Sequence, residues 1–158
     1  MHTAYFVTGT DTGIGKTRTS GALIHALRQA GLARVVGMKP VAAGCDWVDE
    51  HGDVPGHWLN EDVAAMRAAS SLQVPGGFDN PYALPDAVVV EGAGGFIVPL
   101  CEPDPDLGGD WVTSADLAQR LNLPIILTVG VRLGCINHAL LTQEAILARG
   151  LKLVGSPM

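Results

Sequence analysis

The chain has 158 residues, 47% of them hydrophobic and 16% charged, which suits one packed domain over residues 1–158 and excludes a disordered or fibrous chain. The net charge of −6 argues against a nucleic-acid surface and leaves Lys16 and Lys39 as candidates for local basic sites. Cys45, Cys101 and Cys135 lie far apart with no CxxC spacing, which excludes the usual zinc patterns and a disulfide framework and reads as reduced, cytoplasmic thiols; Met1-His2-Thr3-Ala4 has no basic-then-apolar leader, and no apolar run is long enough to span a bilayer.

Residues 5–8 predict a short buried strand that enters a Gly-rich loop ending in Gly15-Lys16-Thr17. A helix follows over 16–30, with Ala22, Leu23, Ala26, Leu27 and Ala30 at helical spacing and Gly31 as its C′ residue. Residues 34–41 predict a second strand, with Pro40 near its end. Residues 44–60 hold glycines, acids, two tryptophans and Pro55, and read as loop. Asn60 caps a helix from 61 to about 69 that carries Glu61 and Asp62 in its first turn, where the helix dipole favours acids. Residues 86–90 predict a third strand, apolar on both faces as in a covered parallel sheet. Residues 91–110 read as loop, and a short helix starts at Thr113 or Ser114 and ends near Asn122. A fourth strand is expected over 124–131. The helix over 136–149 has Ile136, Ala139, Leu140, Gln143, Ile146 and Leu147 along one side and is closed by Gly150; residues 151–155 form the last strand.

Alternating strands and helices predict an α/β layered fold with a mostly parallel sheet. Two places depart from it. Only Ala83-Leu84-Pro85 separates the stretch at 79–82 from the third strand, whereas a parallel crossover needs about a dozen residues. The sequence also ends at Ser156-Pro157-Met158, directly after a strand, with no covering helix.

In such folds ligands bind beyond the C-terminal ends of the strands, and four groups of residues fall there. The loop before the first helix has the makings of a triphosphate cradle: backbone N–H groups, the mobile charge of Lys16 and a Thr17 hydroxyl within reach of Mg²⁺. It departs from the standard pattern, since five residues rather than four separate Gly9 from Gly15 and Thr10 stands where the first glycine belongs. Lys39 ends the second strand and precedes Pro40 and a small-residue turn; it is a solvated lysine or a partner of the phosphate loop. Glu91 follows three valines and precedes Gly92, and is an exposed loop acid or a holder of Mg²⁺ on the phosphates. Asp62 either satisfies backbone N–H groups of its helix or joins Thr17 and Glu91 as a third oxygen ligand. Asn137, in Gly134-Cys135-Ile136-Asn137-His138, is a helix-start anion binder or a simple cap. The histidines at 2, 25, 51, 57 and 138 have no triad or ligand spacing.

Gly-Thr-Asp-Thr-Gly-Ile-Gly-Lys-Thr (9–17), Lys-Pro-Val-Ala-Ala-Gly (39–44), Val-Glu-Gly-Ala-Gly-Gly (90–95) and Gly-Cys-Ile-Asn-His-Ala (134–139) occur in this order. With Asn80-Pro81-Tyr82 and Asp110-Trp111-Val112, the set resembles the dethiobiotin synthetases, ATP-dependent enzymes of biotin synthesis, over nearly the whole chain. The resemblance implies a P-loop NTPase-like three-layer fold, a homodimer, and use of Mg²⁺, ATP, 7,8-diaminopelargonate and CO₂. It also implies a reaction: one amine captures CO₂ as a carbamate, ATP phosphorylates the carbamate, and the second amine closes the ureido ring with release of phosphate. By the same resemblance, Lys16 and Lys39 stabilise the charge of the carbamate and the transferring phosphoryl group, and Thr12 contacts the reacting groups. Gly13, Ile14, Gly15, Lys16, Thr17, Asp62, Glu91, Gly92, Ala93 and Gly94 match ATP-binding positions, and Thr17, Asp62 and Glu91 match the Mg²⁺ positions. Asn137 matches a residue that binds the substrate carboxylate across the dimer interface.

Three departures from the family pattern follow. Ala43 stands where some members carry a substrate-contacting serine. A helical segment that follows Pro85 in the family is missing here, in line with the short link before the third strand. The adenine-reading Asn-Asp pair and the last helices are missing too, so the expected fold is a shortened one that lacks a middle helical segment and the C-terminal part. An inactive nucleotide-binding remnant is therefore an alternative to the enzyme. A partition-type ATPase switch is another, opposed by Asp11 where such proteins carry an early loop lysine, by the acidic charge, and by the lack of an amphipathic tail.

Overall fold

The structure, a computed structural model, describes residues 3–49, 56–72, 85–103, 109 and 111–155. β1 (Thr3–Gly9) leads through the Gly-rich loop into α1 (Lys16–Gln29). After β2 (Val35–Met38) come a short antiparallel pair, β3 (Asp46–Val48) with β4 (His57–Leu59), and then α2 (Glu61–Ala69). β5 (Ala87–Glu91), α3 (Ser114–Leu121), β6 (Ile125–Thr128), α4 (Cys135–Ala148) and β7 (Leu153–Gly155) follow. Five strands form one sheet in the order β2-β5-β1-β6-β7, every pair parallel. The parallel crossover into β5 starts at β2 and passes α2; the expected stretch at 79–82 lies outside the described residues, as do Asp110, Pro55, His2, His51 and residues 156–158.

Strand side chains alternate between faces, and the sheet buries a separate core on each. Phe6, Val90, Ile125 and Leu127 pack with Ala115 and Ala118 of α3 and Ile146 of α4. Val7, Val35, Ala87 and Val89 point the other way, onto Ile24 of α1 and Met66 of α2. The result is an α/β/α sandwich, the three-layer arrangement expected of a P-loop fold. Gly37 lets α1 and α2 both lie close over β2, since a Cβ there would stand 2.8 Å from Ile24 Cδ1, 2.9 Å from Met66 Cε and 3.2 Å from the Met66 carbonyl oxygen.

Local chemistry fixes the element ends. Asn60 accepts from the Val63 N–H and starts α2. Thr113 and Asp116 form a reciprocal capping box at α3. Two serines after α2 satisfy one edge of the sheet: Ser71 Oγ accepts from Val35 N–H and Ser70 Oγ from Gly37 N–H, each at 2.8 Å. The edge strand β2 is thereby covered rather than left open to another chain.

Several expectations need correction. The 44–60 region is not all loop: Trp47 and Trp58 face each other across β3 and β4, edge to face at 5.3 Å between ring centroids. Strands β2 and β6 are shorter than expected. The buried line of α1 runs through Lys16, Ser20 and Ile24, with Leu23 and Leu27 beside it, while Ala22 and Ala26 are exposed. In α4 only Ile146 is fully buried, supported by Cys135, Ala139 and Ala145; Ile136, Leu140 and Leu147 face outward.

Candidate active site

The C-terminal ends of β1, β2 and β5 bring the expected groups together. Alternation along β5 puts Ala87, Val89 and Glu91 on the face under α1, and Glu91 is fully buried there as the last residue of the strand. It is neither an exposed nor a loop acid. Thr17 and Ser20, three residues apart on α1, share a helix face. Ser20 Oγ donates to Glu91 Oε2 at 2.7 Å, and Thr17 Oγ1 lies 2.9 Å from Glu91 Oε1 and 2.7 Å from Asp62 Oδ1. One hydroxyl proton thus serves two carboxylates.

Lys39 follows β2, whose Met38 is in register with Val90 of β5, so Lys39 comes up beside Glu91. Its Nζ donates to Glu91 Oε1 at 2.6 Å and lies 2.8 Å from Asp62 Oδ2. Its side chain is 3% exposed, that of Glu91 0%. Burial alone would pull the Lys39 ammonium down; the hydrogen bonds to Asp62 and Glu91 outweigh burial and hold its pKa above the ordinary value. Asp62 is held below its ordinary value, first by the hydrogen bond from Lys39 and further by Thr17. Asn60 positions Asp62 by capping α2, and its Nδ2 also donates to the Gly44 carbonyl at 2.6 Å, fixing the turn after Lys39.

The phosphate loop is held from both ends. Lys16 is buried, and its Nζ donates to the Asp11 carbonyl at 2.8 Å. Burial, and after it the charge of Lys39, lowers the Lys16 pKa. The Asp11 carboxylate accepts from the Thr12 N–H and pairs with Arg132, which keeps it below the usual carboxylate range. Ile14 lies against Gly130 so closely that a Cβ there would fall 2.5 Å from Ile14 Cγ2 and 3.0 Å from its Cβ.

These groups border an open cleft of about 1220 Å³, lined by Thr12, Gly13, Ile14, Gly15, Lys16, Thr17, Lys39, Ala43, Asp62, Ala93 and Gly94. Glu91 and Gly92 are buried residues outside that lining, and Asn137 is exposed on the first turn of α4, also outside it. Among the described residues no three or more His, Cys, Asp or Glu gather closely enough to hold a metal. The oxygen set here is two carboxylates and a hydroxyl, which fits Mg²⁺: a hard cation that keeps several waters and substrate phosphates in its shell. Sequence reasoning passed over Ser20, Gly130 and Arg132. Ser20 was accessible through its three-residue spacing from Thr17; the other two act across the fold and have no local signal.

A family model described as an AAA domain matches residues 3–82 and 54–156. An ATP-dependent dethiobiotin synthetase BioD from Aromatoleum aromaticum is 46% identical over 186 residues, covering 96% of this chain and 75% of the relative. A second, from Xanthomonas euvesicatoria pv. vesicatoria, is 45% identical over 187 residues, covering 98% and 77%. The chain belongs to the dethiobiotin synthetase family. The stretch aligned with the Aromatoleum protein is longer than the 158-residue chain itself, so the relative has residues inside the match that have no counterpart here. The chain is thus shorter than this relative within the matched stretch. Among the described residues no helix is long and apolar enough to cross a membrane.

Proposed function

We propose that this chain, acting as a single P-loop unit in the cytoplasm, is an ATP-dependent dethiobiotin synthase that carboxylates 7,8-diaminopelargonate and closes the ureido ring. The observation that carries this reading is the convergence of Lys39, Thr17 and Asp62, which line the phosphate-loop cleft, on the buried Glu91, in a chain of this family. Thr17, Asp62 and Glu91 would hold Mg²⁺, which when bound would neutralise charge on the nucleotide phosphates. Lys16 leaves the Asp11 carbonyl to bind the transferring phosphoryl group. Lys39 offsets the carbamate charge, and Thr12, which also lines the cleft, orients the reacting groups. Gly13, Ile14, Gly15, Ala93 and Gly94 complete the nucleotide cradle, and the buried Gly92, whose N–H donates to the Val7 carbonyl, supports it from outside the lining. Ala43 borders the substrate without a hydroxyl, so a hydrogen bond from a serine at that position is either absent here or replaced by another group.

None of these side chains needs to act as a nucleophile, because phosphoryl transfer to a carbamate depends on positioning and charge neutralisation. The carbamate oxygen attacks the γ-phosphorus and ADP leaves. The second amine then attacks the carbamoyl carbon, and phosphate leaves with that oxygen. We further propose a homodimer in which Asn137 of one copy binds the substrate carboxylate in the cleft of the other; the outward apolar residues Ile136, Leu140 and Leu147 of α4 support an interface there.

Isotope transfer tests the reaction. With ¹⁸O-labelled CO₂, one ¹⁸O atom should appear in each phosphate released. Phosphate without label, formed together with dethiobiotin, would exclude the phosphorylated carbamate.

A further inference from the structure

Lys39 occupies an unusual position for a residue assigned to substrate. Its ammonium lies between Asp62 and Glu91, at 2.8 and 2.6 Å, and is almost fully buried. These are the carboxylates that the metal reading requires, and Glu91 Oε1 is shared by Lys39 and Thr17. Glu91 has no exposed surface, so its charge cannot be balanced by solvent and needs a neighbouring cation. An ammonium held by hydrogen bonds and a divalent ion cannot both sit against the same oxygens, since like charges at that separation repel.

We propose that the Lys39 ammonium is the resident cation of the Asp62–Glu91 pocket, competes with a divalent cation for it, and is freed for substrate only when that cation enters. This rests on the metal role of Thr17, Asp62 and Glu91. It gives the site an order: the divalent cation comes first, and the charge that receives the carbamate becomes available afterwards. It also explains how the charge of Glu91 is accommodated without solvent, by the Lys39 ammonium against it.

The test is Mn²⁺ binding to nucleotide-free protein, followed by electron paramagnetic resonance. Lys39→Met should bind Mn²⁺ about tenfold more tightly than the wild type, because the internal competitor is gone. Asp62→Asn should bind more weakly than the wild type. Equal or weaker binding by Lys39→Met, with Asp62→Asn still weakened, overturns the competition and leaves the metal reading intact. Equal binding by Asp62→Asn and the wild type, or no binding by any form, overturns both. A second measurement uses the wild type and does not depend on a variant folding. Amine-reactive labelling of Lys39, read by peptide mass spectrometry, should be slow without metal and about tenfold faster with Mn²⁺; an unchanged or slower rate contradicts the proposal.

Discussion

Glu91 accepts from Ser20, Thr17 and Lys39 and has no contact with solvent. Hydrogen bonds to a buried charge are worth more than neutral ones, so Ser20→Ala should destabilise the protein by about 2 kcal/mol in urea unfolding, without touching the cleft. A loss below a few tenths of a kcal/mol would mean that Ser20 is not a partner in solution. Asp62 gives a pH prediction. Its folded pKa lies below the ordinary 3.8, with the Lys39 hydrogen bond as the largest cause. A depressed carboxylate stabilises the fold above the unfolded value and loses that contribution as pH falls through the folded one. In Lys39→Met the Asp62 carboxyl should therefore titrate at higher pH, and stability should fall off less steeply on acidification. Carboxyl-carbon NMR across the acid range reads this directly; an unmoved titration would break the Lys39–Asp62 pairing.

At the scale of elements, α2 is the part that presents the site. Asn60 caps it and ties down the turn at Gly44, so Asn60→Ala should cost about 1 kcal/mol in thermal or chemical unfolding and also weaken nucleotide binding through Asp62. Gly130 supports the other side. Because the contact falls on Ile14 Cβ as well as the side-chain end, Gly130→Ala must displace the phosphate loop; ATP affinity should drop about tenfold while the circular dichroism spectrum is unchanged, a loss of about 1.4 kcal/mol. The elements differ in how legible they were. The α2 cap was readable because Asn60 and its two acids are local signals. The β3–β4 pair was not, because it depends on Trp47 meeting Trp58 across a gap in sequence that looks like loop. The buried side of α4 was not either: the helix is apolar nearly all round, so periodicity could not choose between Ile146 and the outward Ile136, Leu140 and Leu147.

At the scale of the molecule, the sheet order places the site and leaves α4 with an apolar outer surface. Ile136, Leu140 and Leu147 are 73%, 60% and 53% exposed in one row, a contiguous apolar face of the kind that marks interaction surfaces. Ile136→Glu with Leu140→Glu should shift the protein from dimer to monomer in sedimentation velocity, and a monomeric wild type would remove the shared-site arrangement. The parallel sheet and phosphate loop were legible because alternating strand and helix patterns and the Gly-Lys-Thr end are short-range features. The strand-end positions made Lys39, Asp62 and Glu91 legible as site candidates with alternatives left open; the direct pairing of Lys39 with Glu91 was not legible, since 52 positions separate them in sequence. Whether a chain lacking residues found inside its relatives still turns over is decided by incubating the purified protein with 7,8-diaminopelargonate, bicarbonate, ATP and Mg²⁺ and measuring dethiobiotin by mass spectrometry. The account predicts one dethiobiotin for each ADP formed, abolished in Lys39→Met; a folded protein that binds ATP and yields no dethiobiotin at saturating substrate would contradict it.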